Sequence, residues 1–492
     1  MTSYQRFAFA AFALALLQSA GLAQTPAPAA PPPLTLEECV ARALEKNFDV
    51  SIQRLTTTSA TGDVEIAKAG YDPNLSLSSS RFFNKTPPNT TSSLSQSTQA
   101  NRLSVSQKIV TGATVTATGL LDRNYSRPAV TAGLNPAYTG DVGLLVRQPL
   151  LKGAGTGINR AAIERAKLGV SRANTDLKGT VLTVVRNVEA AYYNLVFARE
   201  QREVRRFSLE VANKLLDENK ARRSSGVATD LDVLQSEVGV ANTQRDLVLS
   251  NQTVRNNEDA LLQLIGQFEF DRPLGAVRFT DEPVPAFSFA NSYQLARENQ
   301  PDYLSSALAL EQYKLDLKTT KDNRRPQLDL GGSLGQASKE NSYGNASSEV
   351  WNGKGYNWGV DLSLTLPWGF RAENARYRQA QLAHNRGQAR RQQIEQDIVV
   401  QVRGAIRAVE TNQENVRISA LAQELSQRQF EQEKARYEAG LSTFRFVQQS
   451  QADLDTARVN LLQAKVSLRI SLVDLARLEA SSLARYKINL AK

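Results

Sequence analysis

A long-range internal repeat is the feature that most constrains how this 492-residue chain can fold. Residues 220–236 (KARRSSGVATDLDVLQS) and residues 434–450 (KARYEAGLSTFRFVQQS) match in register at a spacing of 214 residues, with Gly226 aligned to Gly440. Self-similarity over so long a period indicates that one structural unit occurs twice. The sequence therefore predicts two similar halves, each containing a glycine-centred turn.

The duplication also covers the start of each half. The segment YDPNLSLSSS around Pro73 resembles RRPQLDLGGS around Pro326, and Asp49 aligns with Asp302, both at a spacing of 253 residues. Because the spacing falls to 214 at the turns, the first half carries 39 extra residues between Pro73 and its turn. Each half is predicted to contain, in order, a helix, a proline, a strand region, a long helix, the glycine turn and a second helix.

The first residues have the pattern of a cleaved export signal. Residues 1–23 contain one arginine near their start, continue with a short apolar run and end in small residues, and residues 24–34 form a Pro/Ala-rich spacer. The single cysteine, Cys39, cannot form an internal disulfide. Export from the cytoplasm argues against nucleic acid as a partner, in spite of the net charge of +10.

Two segments lack proline over lengths that ordinary globular helices do not reach. They are residues 158–225 and residues 370–439, and at ~1.5 Å per residue each predicts a helix of ~100 Å. Apolar residues recur at helical spacing on one face of each segment. These are Val181, Val184, Val185, Val188, Tyr192 and Leu195 in the first, and Ile394, Ile398, Val402, Ile406 and Val409 in the second. Rods of this length are expected to pack along neighbouring helices.

A heptad-like seam follows the second glycine turn. Its apolar and small residues alternate in steps of three and four. They are Leu454, Ala457, Leu461, Ala464, Leu468, Ser471, Leu475 and Leu478, with repeat counterparts Val240, Thr243, Leu247, Ser250, Val254, Asn257, Leu261 and Leu264. The seam requires a helical partner, and an ordinary antiparallel coiled coil would satisfy it.

Residues 358–368 have the two-faced pattern of a transmembrane β-strand. One face is apolar and bracketed by Trp358 and Trp368, while the other carries Asn, Gly, Asp, Ser and Thr. Ten steps of ~3.3 Å, tilted by ~40°, rise ~25 Å, which is the height of the apolar band of a membrane barrel. Residues 138–150 repeat this alternation, and Leu75 and Leu328 begin the partner strands.

Four strands per chain are too few to close a membrane barrel, because the smallest have about eight. The sequence therefore predicts a barrel shared between subunits. Residues 101–124, within the extra part of the first half, predict a further hairpin about Gly112. That hairpin either enlarges the barrel or forms an external loop.

The combination of export signal, two repeats, paired strands, ~100 Å helices and glycine turns resembles the TolC family of outer-membrane efflux proteins. The resemblance covers residues 34–480, and its most specific parts are AYYNL at residues 191–195 and the two turns. It implies a homotrimer in which four strands per subunit form a twelve-stranded barrel and the helices form a hollow cylinder across the periplasm.

The resemblance also implies roles for the turns. The positions that match the family's adaptor-docking turns are Gly226, Val227, Thr229, Gly440, Leu441 and Thr443. Tyr437 matches an aromatic position that helps to hold the entrance closed, and Asp232 matches an acidic position of the first turn. Family members can carry two acidic residues after the second turn, where this chain has Phe446 and Gln449. An entrance constriction of aromatic and amide groups is therefore expected.

Motifs of catalysis have weak support in this sequence. Residues 331–335 (GGSLG) satisfy G-x-S-x-G, but they start a predicted strand, and the only histidine, His384, lies in a long helix. Residues 153–157 (GAGTG) lack the spacing and the lysine of a phosphate loop. One histidine and one cysteine, Cys39, leave no plausible transition-metal site. We expect no enzyme activity, no cofactor and no metal.

The predicted fold class is an α+β membrane protein, with a long α-helical coiled-coil barrel and a shared transmembrane β-barrel built from two repeats, four strands per protomer. The expected divisions are a signal peptide at 1–23, a linker at 24–34, repeat 1 at 35–266, an inter-repeat linker at 267–289, repeat 2 at 290–481 and a tail at 482–492.

The expected function is a trimeric outer-membrane channel-tunnel that exports substrates as part of a tripartite efflux pump or type I secretion system. Its expected partners are two further copies of the chain, a periplasmic adaptor (membrane fusion protein), an inner-membrane pump of the RND or ABC type, and outer-membrane lipid, with no nucleic acid. The alternative is an exported coiled-coil protein that tethers layers of the cell envelope. The two-faced strands favour the channel, because a tether has no use for strands of membrane height.

Overall fold

The computed structural model describes residues 33–85, 95–127, 133–266, 274–279 and 283–488. The expected signal peptide at 1–23 and nearly all of the 24–34 linker lie outside the described residues, as do parts of the inter-repeat linker and of the tail. Among the described residues, no helix combines the length and the apolar character that a membrane span requires.

The helices form the greater part of the molecule. They are α1 (Leu36–Lys46), α2 (Phe48–Ala69), α3 (Thr156–Asn159), α4 (Ala161–Ser224), α5 (Asp230–Leu264), α6 (Phe289–Asn299), α7 (Pro301–Asp322), α8 (Tyr343–Glu349), α9 (Arg371–Glu438), α10 (Phe444–Glu479) and α11 (Ser481–Arg485), with a 3₁₀ turn at Val350–Asn352. The two predicted long helices are confirmed: α4 has 64 residues and α9 has 68, so each is ~100 Å long.

The long helices gain neighbours along their whole length. Near the sheet, α2 packs on α4, α4 on α7 and α7 on α9. Towards the far end, α5 packs on α4, α4 on α10 and α10 on α9. Four helices therefore lie side by side at each level, which is how rods of ~100 Å bury their apolar faces without a globular core.

The main core lies where the upper and lower sets of helices meet. The predicted apolar face of α4 is buried there, with Val181, Val188 and Leu195 fully inaccessible. Tyr192 donates a hydrogen bond to the carbonyl of Arg278 at 3.1 Å and accepts one from its amide at 3.2 Å. The tyrosine of the AYYNL stretch thus fastens part of the inter-repeat segment to α4. A second cluster buries Ile398, Val402, Ile406 and Val409 of α9 against α10.

The strands form one sheet with the order β1 to β6, and every neighbouring pair is antiparallel. They are β1 (Asn74–Lys85), β2 (Ser95–Lys108), β3 (Thr114–Arg127), β4 (Ala137–Pro149), β5 (Gln327–Glu340) and β6 (Tyr356–Thr365). The fold class is confirmed, but the expectation of four strands per protomer is wrong, because the residues that the structure describes form a sheet of six.

The two additional strands are β2 and β3, the hairpin about Gly112 that the sequence left unplaced. β2 pairs with β1 over residues 95–106 and β3 pairs with β4 over residues 114–124, so the hairpin belongs to the sheet. Its turn lies against the segment that leads from β4 into α3, where the Gly155 amide donates to the Thr111 carbonyl at 3.0 Å. The pairing of sheet edges could not be known from the sequence, because alternation alone does not specify a strand's partner.

The predicted strand at residues 358–368 is shorter than expected. β6 ends at Thr365, and Trp368 lies beyond it with 97 % of its surface exposed. Pro367 has no amide hydrogen to donate to a ladder, which is a physical reason for the end of the strand. Trp358 lies within the strand and Trp368 three residues beyond its end, and their role as a membrane aromatic girdle stays a prediction.

We expect the packing of the β2–β3 turn against the segment between β4 and α3 to depend on Gly112. Its φ is +98°, and a Cβ there would lie 2.4 Å from the carbonyl oxygen of Gly153. Gly112→Ala should therefore lower the free energy of unfolding by more than ~1–2 kcal/mol and the apparent Tm in detergent by a few degrees. The matched control is Gly119→Ala in β3, where a Cβ meets no atom within 4 Å. Equal melting temperatures for the two variants would contradict this packing.

Candidate functional site

The two glycine turns lie side by side at the end of the helical body farthest from the sheet. In the first, Gly226 has φ +73° and the Val227 amide donates to the Arg222 carbonyl at 2.9 Å. In the second, Gly440 has φ +75° and the Leu441 amide donates to the Arg436 carbonyl at 2.8 Å. Both are helix ends closed by a residue in the left-handed region, for which glycine has no steric cost.

The surface of both turns is open and partly apolar. A Cβ added at Gly226 or Gly440 would meet no atom within 4 Å. The side chains of Val227 and Leu441 are 67 % and 72 % exposed. Apolar side chains next to accessible backbone are typical of a surface that another protein covers.

The helices that leave the turns begin with threonine in both repeats, but only one threonine acts as a cap through its side chain. Thr229 and Asp232 form a capping box at the start of α5: the Asp232 amide donates to Thr229 Oγ1 at 3.2 Å, and the Thr229 amide donates to Asp232 Oδ2 at 2.9 Å. Thr443 makes no such bond. The carboxylate of Asp232 is therefore engaged within its own turn.

A buried polar network joins the two turns. The Tyr437 hydroxyl of α9 donates to Asn219 Oδ1 of α4 at 2.5 Å, and Asn219 Nδ2 donates to Ser236 Oγ of α5 at 2.7 Å. The guanidinium of Arg222 lies 4.4 Å from the centre of the Tyr437 ring. Tyr437 is 7 % exposed and Asn219 is fully buried, and burial raises the pKa of the Tyr437 phenol.

Of this network, only Tyr437 was identified from the sequence. Asn219, Ser236 and Arg222 were missed, because Asn219 and Arg222 lie 218 and 215 positions from Tyr437 and meet it only in the folded chain. A signal was available: Asn219 lies four residues after Leu215, on the same face of α4, and Leu215 is buried.

The other two predicted constriction residues do not belong to the network. Phe446 is 59 % exposed. Gln449 Nε2 donates to Asp453 Oδ1 at 2.9 Å, so a carboxylate that the sequence analysis missed lies one helical turn further along α10. Both side chains are on the solvent side of α10, away from Tyr437.

The sheet is the second functional surface, and its two faces differ in chemistry. We call them the apolar face and the polar face. One row of opposed residues crosses all six strands on the apolar face: Leu75, Val105, Ala117, Leu144, Leu334 and Trp358. Most of these side chains are substantially exposed, Leu75 at 68 % and Trp358 at 71 %. An apolar surface this wide requires an apolar environment.

The polar face carries hydroxyl groups, glycines and a few charges. Ser76 and Ser104 share a hydrogen bond of 2.7 Å between their hydroxyls, and Arg147 lies 3.8 Å from Asp361. The two-faced alternation predicted for β4 and β6 thus continues through the hairpin β2–β3. Both faces together fit a wall with lipid on one side and water on the other.

Comparison with known proteins agrees with this geometry. The sequence profile described as "outer membrane efflux protein" matches residues 39–267 and 292–480. The chain is similar to the pyoverdine export outer membrane protein OpmQ of Pseudomonas aeruginosa, with 24 % identity over 388 residues that cover 76 % of this chain and 73 % of the relative.

Two solved structures share the fold. The CmeC outer membrane channel of Campylobacter jejuni has a TM-score of 0.69 and 17 % identity, over 92 % of this chain and 89 % of that chain. The outer membrane protein VceC of Vibrio cholerae has a TM-score of 0.67 and 15 % identity, over 90 % of this chain and 95 % of that chain. At these identities the likeness concerns the fold alone.

The buried network should hold the two turns together. Tyr437→Phe leaves the buried Asn219 Oδ1 without its donor, which costs about 1–3 kcal/mol of local stability. We expect hydrogen–deuterium exchange to speed up by tenfold or more in residues 215–240 and 430–450. Tyr303→Phe is the control, since Tyr303 is equally buried but accepts from Arg391 elsewhere. Unchanged exchange at the turns of the Tyr437 variant would show that the network does not hold them.

Proposed function

The chain belongs to the outer membrane efflux protein family, and we propose from that premise that three copies of it form one export tunnel served by a periplasmic adaptor and an inner-membrane pump. The family's members are outer-membrane channels of efflux systems and not enzymes. The tether alternative is set aside, because the family match covers both halves of the chain. We propose the same two repeats, 35–266 and 290–481, preceded by a signal peptide at 1–23 that is removed on export.

The observation that carries the trimer proposal is the pair of free edges of the sheet. Among the described residues β1 and β6 each have one neighbouring strand, so a row of backbone amides and carbonyls on each is left for another strand. In lipid such groups must be paired, because no water is present to satisfy them. An even number of strands lets β6 of one copy run antiparallel to β1 of the next, so copies of the chain can close a ring.

The six-stranded sheet changes the size of the expected ring. Three copies would contribute eighteen strands rather than the twelve that the family resemblance implies. With strands ~4.8 Å apart and tilted by ~40°, each takes ~6.3 Å of circumference, giving ~113 Å for eighteen strands and ~75 Å for twelve.

The wider ring matches the helices beneath it. Four helices per copy at each level make twelve in a trimer, and at ~9–10 Å between axes their ring is ~110–120 Å around. Eighteen strands would therefore continue the helical tunnel without narrowing it. We propose that the hairpin β2–β3 serves this match, so that the exit is as wide as the tunnel.

The glycine turns are proposed as the docking site of the adaptor. The residues concerned are Gly226, Val227, Thr229, Gly440, Leu441 and Thr443. Support comes from the open space at both glycines and from the exposed side chains of Val227 and Leu441. A partner's hairpin could approach the backbone closely at such points.

The entrance is proposed to open when that docking loosens the network around Tyr437. The bond from Tyr437 to Asn219 joins the end of α9 to α4, so separating the two turns must break it. Phe446 and Gln449 are proposed to line the constriction, and Asp232 to fix the start of α5 through its capping box. The inner-membrane partner would be a pump of the RND or ABC type, which supplies the energy.

Export should fail when the space at a glycine turn is filled. Gly226→Trp places a large side chain in the open region where we expect the adaptor, so cells should lose export and accumulate the cargo while assembled trimers persist in the outer membrane. Gly226→Asn is the control, because asparagine tolerates positive φ and is small. Export that persists in both Gly226→Trp and Gly440→Trp would overturn the docking proposal.

Strand number can be counted directly. Electron cryo-microscopy of the full-length protein in lipid nanodiscs should show eighteen strands around the wall. A variant lacking residues 95–127, which removes β2 and β3 together and keeps the remaining neighbours antiparallel, should show twelve and a narrower wall. A twelve-stranded wall in the unaltered protein, with the hairpin outside it, would refute the matched exit but not the trimer.

A further inference from the structure

Four basic side chains lie on the apolar face of the sheet, just beyond its apolar rows. Arg81 of β1 is opposite Gln99 of β2, which is opposite Arg123 of β3. Directly opposed residues in antiparallel strands point to the same side, and so do residues an even number of positions apart. Leu77 and Leu103 oppose each other four residues earlier. Arg81 and Arg123 therefore point to the same side as these leucines.

The remaining two cations lie four residues farther along the strands, away from the helices. Lys85 and Arg127 both oppose Ser95, at the end of the strands away from the helices, and both are exposed. Each is four residues beyond Arg81 or Arg123, so all four share one face. At ~3.3 Å per residue and a tilt of ~40°, the first pair stands ~10 Å above the leucine row.

This basic patch, Arg81, Lys85, Arg123 and Arg127, has no compensating acid nearby in the sequence. Between residues 74 and 137 the only carboxylate is Asp122, which is adjacent to Arg123 and so points to the polar face. In the described part of the chain none of the four cations makes an ion pair, although Arg123 Nε donates to the Tyr138 hydroxyl at 3.3 Å. Four cations without an ion-paired carboxylate on one face indicate an anionic partner.

An apolar cavity lies directly below the patch. It has a volume of about 290 Å³ and is lined by Leu77, Leu103, Leu121, Val142, Val350 and Trp351. The last two come from the 3₁₀ turn after α8, which packs on this face: the Ser338 hydroxyl donates to the Ala346 carbonyl at 2.6 Å. The cavity is thus a slot between the sheet and the segment that joins β5 to β6.

The order of these features along the membrane normal matches one class of molecule. Acyl chains fit the apolar rows and the slot, and phosphates fit the cations immediately above them. Guanidinium groups bind phosphate oxygens through paired hydrogen bonds, which favours Arg81 and Arg123 as the direct contacts. The patch is local, because at the same height β4 and β5 present Tyr138 and Glu340 instead.

We propose that the apolar face of β1–β3, together with the segment after α8, is a binding site for a phosphorylated lipid with several acyl chains, of the lipopolysaccharide type. The site faces the lipid phase because the protein is an outer-membrane channel. It does not depend on the trimer, on the adaptor or on the cargo. The lipid would also cover the hairpin that widens the sheet.

Native mass spectrometry of the full-length protein, delipidated in detergent, tests the site with diphosphoryl lipid A as the probe. We expect the double variant Arg81→Ser/Arg123→Ser to bind it at least tenfold more weakly. The control is Arg206→Ser/Arg428→Ser, which removes two exposed cations from α4 and α9 and should bind like the unaltered protein. The mass of the assembly in the same spectra reports whether each variant is folded.

Two further arms need no variant. Lipid A without phosphates should bind the unaltered protein at least tenfold more weakly than the diphosphoryl form, and inorganic phosphate at millimolar concentration should leave the bound lipid in place. Equal binding of lipid A with and without phosphates, or by the double variant and its control, would overturn the proposal. Displacement by inorganic phosphate would identify the patch as a site for free phosphate and overturn the lipid assignment.

Discussion

Helices of 64 and 68 residues cannot fold back on themselves, so every part of their apolar stripes must be covered by another helix. This requirement explains why α5 and α10 return along α4 and α9 after the glycine turns, and why α2 and α7 cover the other ends. It also explains the duplication, because two long helices need two sets of partners. The positions of the sheet and the turns at opposite ends of the body follow from it.

The two ends solve different physical problems. At the turns, the chain must reverse within a few residues and still close its helices, which Gly226 and Gly440 allow through positive φ. The polar groups buried behind the reversals, such as Asn219 and Tyr437, satisfy each other and fix the two turns relative to one another. A few buried hydrogen bonds at this point therefore join the ends of α4, α5 and α9.

At the sheet, each face must match its surroundings and the backbone of the two edge strands must find partners. Apolar residues on one side and hydroxyl groups on the other suit a wall between lipid and water, but β1 and β6 are left with unpaired backbone. The hairpin β2–β3 lengthens the wall and brings with it the basic patch around Arg81 and Arg123. One insertion in the first repeat thus alters both the proposed width of the exit and the surface that meets the membrane lipid.

The sequence by itself determined the local features: the two long helices, the glycine turns, the start of each outer strand and the hairpin about Gly112. These depend on the absence of proline, on the spacing of apolar residues and on glycines at turns, and each of these acts through residues that are close together in the chain. The tertiary structure decided what depends on distant partners. Asn219 meets Tyr437 across 218 positions, the hairpin gains β1 and β4 as neighbours, and the four cations share a face only once the register is set. Strand pairing has no signature in the sequence of either strand alone, since backbone groups pair with any sequence, and so the six-stranded sheet emerged only in three dimensions.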